Sequence, residues 1–255
     1  MPRTAQALRK VPEASAFFWV TKVLTTAMGE ATSDYLVAAL PRVLAVAMAG
    51  LVLVAVLIWQ FRAPRYVPWI YWSTVVMVAV FGTMAADVVH IQFGIPYAVS
   101  TPFFACVLAA CFLVWYRSEK TLSIHSIDTP LREAFYWATI MSTFALGTAL
   151  GDLTATTMHL GYFASGVMFA VLIAMPALAY RYLHINGILA FWAAYVLTRP
   201  LGASFADWGG KAHSAGGLGL GDGVVSLGLT VVIVILVGYQ AIMRGDDTEE
   251  LQSAQ

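Results

Sequence analysis

The chain has 255 residues, with 14 Lys and Arg against 14 Asp and Glu, so its formal charge is zero and nothing points to nucleic acid. Apolar residues make up 60% and charged residues 11%, whereas soluble domains carry roughly 25% charged residues. This excludes an ordinary soluble domain and predicts an all-α, polytopic membrane protein whose first partner is the lipid bilayer.

Residues 1–10 are polar and basic, with no short apolar region and cleavage site behind them, so the first apolar stretch reads as a retained helix. Apolar runs then predict eight spans, near 14–37, 42–61, 68–90, 98–117, 132–157, 162–182, 187–208 and 222–243. Cys106 and Cys111 share one of these runs and read as small core hydrophobes, not as a metal or disulfide site. The connection 118–131 separates two halves of the chain, and 208–222 is rich in Gly, which predicts a flexible loop able to act as a lid. The acidic stretch 245–255 reads as a disordered tail.

The odd spans carry one motif four times. Trp is preceded by an aromatic residue and followed by Gly ten and Asp fifteen positions later: Trp19, Gly29, Asp34; Trp72, Gly82, Asp87; Trp137, Gly147, Asp152; and Trp192, Gly202, Asp207. A small residue precedes each Asp (Ser33, Ala86, Gly151, Ala206). This is an internal repeat with units near 11–63, 64–120, 129–184 and 185–244. With two spans per unit, the expected fold is eight transmembrane helices arranged as four parallel helical hairpins, pseudo-symmetric about the membrane normal.

On a helix, Trp, Gly and Asp fall within an arc of about 140°. The Gly and the small residue let a neighbouring backbone approach, so Trp and Gly are read as helix-packing positions. If Trp marks one membrane interface, Asp lies roughly 22 Å further along the axis. Asp34, Asp87, Asp152 and Asp207 would then ring the interior at one depth. Lys and Arg crowd the N-terminal side (Arg3, Arg9, Lys10, Arg62, Arg65, Arg117, Lys120, Arg132, Arg181, Arg244), against Arg42 and Lys211 opposite. The positive-inside rule places both termini in the cytoplasm.

Carboxylates within spans are costly and mark a pathway or a site. The four motif Asp residues are joined by Glu30, beside Gly29, where the other units carry Thr83, Thr148 and Ala203. Lys22 and Arg199 are the basic groups on the same helices, so protons or a bound cation must balance the remaining acids. Lys22 lies eight residues before Glu30 on one helix, which makes Arg199 the better basic partner. His90, His159 and His213 follow three of the motif Asp residues and are candidate metal ligands with them. The competing reading gives the Asp residues a packing role, locking the repeats together.

The run Lys10-Val11-Pro12-Glu13, then Phe18-Trp19, Lys22, Thr26, Gly29-Glu30 and Ser33-Asp34, resembles a bacterial family of integral membrane proteins known as a repeat of unknown function and as membrane-anchored proteins. The resemblance extends over all four units and implies a multi-pass protein of the bacterial inner membrane, with no activity attached. From the residues, the expected function is transport of a cation, a manganese-like divalent metal moved outward, with protons exchanged at the carboxylates. No cofactor is implied beyond such a metal as substrate. An intramembrane enzyme using carboxylates or metal, and a non-transporting scaffold or receptor, are the alternatives; the oligomeric state is open.

Overall fold

The computed structural model describes the backbone of residues 10–253, and all their side chains except Ile91 and those of 244–253. Arg3 and Arg9, the side chain of Arg244 and the side chains of the expected tail 245–255 therefore lie outside the described residues. Eight long helices and no strand are found among those described. They are α1 (Ala16–Ala39), α2 (Arg42–Arg62), α3 (Pro68–Asp87), α4 (Tyr97–Glu119), α5 (Pro130–Asp152), α6 (Tyr162–Leu183), α7 (Gly187–Gly210) and α8 (Asp222–Ser253). Six of them, all but α1 and α5, are long and apolar enough to cross a membrane.

Local signals set the helix ends. Ser15 caps α1 by accepting from the Phe18 amide at 3.2 Å, Thr129 caps α5, and Asn186 caps α7 through the amides of Ile188 and Leu189. Pro68 and Pro130 open α3 and α5, where a missing amide proton costs nothing. Lys120 and His184 end α4 and α6 in left-handed backbone.

The motif helices α1, α3, α5 and α7 form the centre, each packed on the next, with α7 closing on α1. Two layers of contacts fix their common register. At the basic end, the aromatic residue before each Trp meets the Trp of the following unit: Phe18 with Trp72 at 5.8 Å, Tyr71 with Trp137 at 5.6 Å, Tyr136 with Trp192 at 6.2 Å and Phe191 with Trp19 at 5.4 Å. One layer further, each motif Gly faces the residue seven after the next unit's Trp. Gly29 opposes Ala79, Gly82 opposes Phe144, Gly147 opposes Arg199, and Gly202 opposes Thr26. In all four places a Cβ on the Gly would overlap its neighbour, so the Gly residues are where the helices touch.

Two expectations are corrected here. Trp72, Trp137 and Trp192 are at most 4% exposed and pack inside the ring, not as anchors at a lipid interface. Each has an aromatic partner on the preceding unit, and such a pair adds about 0.5–1.5 kcal/mol beyond the burial itself. The units are also not self-contained hairpins. Helix α2 packs mainly on α3, α4 on α5, α6 on α7 and α8 on α1, so every outer helix buttresses the next unit's motif helix. The ring is interlocked by this exchange.

Past Asp87 and Asp152, α3 and α5 continue as single π turns, Val88–Gln92 and Leu153–Thr157; α1 and α7 do not. The units thus fall into two kinds, two and three against one and four. Gly202→Ala should lower thermal stability by about 1–3 kcal/mol, because its Cβ meets the Thr26 hydroxyl and the Ala27 backbone. Gly228→Ala, with open space around it, should not; unfolding of the two variants in one detergent checks the contrast.

Candidate functional site

The site is built where α1 and α7 meet the other two motif helices. Arg199 is 1% exposed and reaches across the axis from α7. Its Nη2 donates to Glu30, to the Thr83 hydroxyl and, at 2.7 Å, to the Thr148 hydroxyl. Those acceptors occupy the position after the motif Gly in units one, two and three. One guanidinium therefore ties all four motif helices together through a single register. Glu30, 4% exposed, is its only carboxylate partner among the ion pairs of the described residues.

Toward the far end, the four motif carboxylates converge. Asp34, Asp87, Asp152 and Asp207 lie within electrostatic reach of one another or of Glu30 across the interior. Oxygens of Glu30, Asp34 and Asp207 approach within 4.8 Å of each other, the one metal-sized grouping among the described residues. Asp87 and Asp152 stand on the other side, with the Tyr97 hydroxyl beside Asp152.

Lys211 closes this end. Its ammonium pairs with Asp34 and lies 3.6 Å from Asp207 and 3.9 Å from Asp222. Burial disfavours its charge, but Asp34 and Asp207 outweigh that and hold the Lys211 pKa above the ordinary lysine value. The stretch expected as a flexible loop is instead a folded cap. Leu218, Gly219 and Gly217 donate backbone bonds to Trp208, Lys211 and Ala212 at 2.6, 2.9 and 3.1 Å. Gly216, Gly219 and Gly221 adopt the positive φ angles that this tight path requires.

His90, His159 and His213 do not join the carboxylates. His90 bonds the Ile95 carbonyl at 2.6 Å and stacks on Tyr97, and His213 bonds the Gly217 carbonyl at 3.0 Å. His159 is exposed in left-handed backbone. Both ring contacts hold loops in shape, which is a sufficient reason for their presence. Lys22 is fully buried on the other side of Arg199, over the rings of Phe144 and Tyr195 at 4.4 and 4.5 Å.

Sequence reasoning missed the seal at the basic end. Lys10 pairs with Glu133 at 2.7 Å, Gln60 donates to Glu133 at 2.8 Å, and Lys10 also donates to the Phe61 carbonyl. Glu133 is fully buried. An acid in the first turn, which any helix N-terminus favours, is its only signal in the sequence. Beneath this seal the hydroxyls of Tyr71 and Tyr136 meet at 2.5 Å inside the aromatic layer. The basic end is thereby closed by packing, the acidic end by one lysine.

Arg199→Met, leaving Glu30 buried without its cation, should cost about 3–5 kcal/mol. The double change Glu30→Met with Arg199→Met should cost less than the single one, and thermal unfolding of the pair checks the sign. No curated protein and no solved structure matches the chain. A family match recurs four times, over residues 17–66, 70–121, 135–185 and 190–246, in step with the four Trp, Gly and Asp motifs; the chain belongs to the family described as Repeat of Unknown Function (DUF347).

Proposed function

We propose that the protein is a transporter of a small inorganic cation in the bacterial inner membrane, with a divalent, manganese-like ion as substrate and efflux as its direction. All eight helices cross the bilayer in this reading, as four parallel repeats with pseudo-symmetry about the membrane normal. Helices α1 and α5 are less apolar than the rest because they turn polar groups inward: Thr21, Lys22, Thr25, Thr26, Glu30 and Ser33 on α1, and Glu133, Thr139, Thr143 and Thr148 on α5, are buried. The excess of Lys and Arg at the Trp end sets both termini in the cytoplasm and the acidic end outside.

The observation that carries the proposal is the grouping of Glu30, Asp34 and Asp207, with the protein's own cations set against it. Three carboxylates without imidazole form an all-oxygen donor set, suited to manganese, magnesium or calcium and poorly suited to zinc. Arg199 and Lys211 neutralise these acids when no substrate is present. An arriving cation competes with both, and protons compete for the same oxygens, which supplies a route to proton coupling. Entry of the ion from the cytoplasm needs the aromatic layer and the Lys10–Glu133 seal to part.

A second reading has one observation in its favour. With the basic end sealed, the carboxylates are approached from one side only, as in a blind intramembrane active site using carboxylates or a metal. Flux separates the two. In proteoliposomes the wild type should move Mn2+ with a pH-dependent rate. Glu30→Gln keeps shape and an acceptor for Arg199 but removes its counter-charge, so it should lose about 3–5 kcal/mol of stability, while in the protein that remains folded flux should fall at least about tenfold or lose its pH dependence. No flux in the wild type, or equal flux and pH dependence in Glu30→Gln, contradicts the proposal.

A further inference from the structure

The four units close unequally at the basic end. In α2 and α4 the residue two before the last Arg is large and buried. Gln60, before Arg62, donates to Glu133, and Trp115, before Arg117, stands edge-on to Trp192 at 5.8 Å. In α8, Gln240 accepts from the Trp72 indole at 3.1 Å. The matching place in α6, two before Arg181, holds only Ala179. The seam between α7 and α1 is left unfilled there, and Trp19 stays partly exposed while Trp72, Trp137 and Trp192 are buried. What opens is a cavity of about 880 Å³, within the roughly 300–1,000 Å³ of small-molecule sites.

The lining has a chemistry of its own. Trp19 and Phe191, with ring centroids 5.4 Å apart, line it together with Tyr180, and most of the remaining surface is aliphatic. Ser15, Ser123 and Asn186 also face it, but their side-chain oxygens accept from the amides of Phe18, His125, Ile188 and Leu189. The helix starts at the cavity are thus capped from within the chain, and no anion is called for there. Glu13 and His125 line it from exposed positions. Arg62, Arg117, Lys120 and Arg181 crowd this end of the molecule, yet no Lys or Arg of the described residues lines the cavity. Its one carboxylate is that of Glu13.

We propose that this cavity is a binding site for a hydrophobic organic monocation. Aromatic faces attract a cation whose own surface is apolar, and a carboxylate at the same site selects the sign of the charge. A metal ion does not fit, because aliphatic walls supply no shell of oxygen ligands. A lipid tail would use the apolar walls and gain nothing from Glu13. The inference does not depend on metal transport, since the unfilled seam lies at the opposite end of the bundle from the motif carboxylates.

The test uses the purified full-length protein in detergent and two probes of matching shape and opposite charge, tetraphenylphosphonium and tetraphenylborate. Equilibrium dialysis compares each in the wild type and in Ala194→Phe, whose ring occupies the cavity, so that uptake by the micelle cancels. The phosphonium should bind the wild type saturably, lose that binding in Ala194→Phe, and bind at least about threefold more weakly to Glu13→Gln. The borate should bind wild type and Ala194→Phe alike. Phosphonium binding that does not saturate, or that is unchanged in either variant, would overturn the proposal, as would borate binding that Ala194→Phe removes. Should Ala194→Phe fail to fold, Ala177→Phe fills the same cavity from α6 and decides the matter.

Discussion

One guanidinium sets the terms for the rest of the molecule. Arg199 lies on the axis of a ring of four helices, and its Nη2 takes partners from the other three. A buried arginine is tolerated only with an acid and hydroxyls in place, so Glu30, Thr83 and Thr148 must share a level. The Gly residues one position earlier are needed for the same reason. Gly147 admits the Arg199 stem, and Gly202 admits the Thr26 hydroxyl, which bonds the Thr198 carbonyl at 3.1 Å. A repeat that brings backbones together thus also fixes the Arg199–Glu30 pair.

That pair divides the interior into two chemically distinct ends. Toward Trp, the wall is aromatic, closed by the Tyr71 and Tyr136 hydroxyls and by Lys10 with Glu133 and Gln60. Toward Asp, it is acidic and covered by Lys211. In each case a lysine from outside the motif neutralises a carboxylate inside the bundle. The difference lies in burial. The Lys10–Glu133 pair is 9% and 1% exposed, while Lys211 and Asp34 are 29% and 19% exposed. Water and salt reach the second pair more easily, so it is the weaker closure.

Much of this was legible in the residues. The offset of Gly and Asp from Trp is a register, and a register repeated four times on parallel helices predicts a ring. The charge at Glu30 in one unit only, too far along the helix from Lys22, pointed to Arg199. What could not be read was which neighbour each side chain meets. By its sequence alone Trp belongs at the lipid interface, because nothing in the chain reveals that its partner is the aromatic residue of the preceding unit. The His residues looked like ligands because loop paths decide that His90 turns to Ile95 and His213 to Gly217. The exchange of outer helices was equally hidden, since a short connection is compatible with packing on either neighbour.

In the proposed transporter, Glu30, Asp34 and Asp207 form a cation site that the protein's own Lys211 holds until a substrate displaces it. Equilibrium binding of Mn2+ to the purified protein, followed by the loss of the free-ion electron paramagnetic resonance signal, tests it most directly. Binding should be saturable in the wild type, tighter in Lys211→Met because an internal competitor has gone, and absent when Asp34→Asn and Asp207→Asn are combined. Binding that is unchanged or weaker in Lys211→Met, or that survives loss of both aspartates, would contradict it.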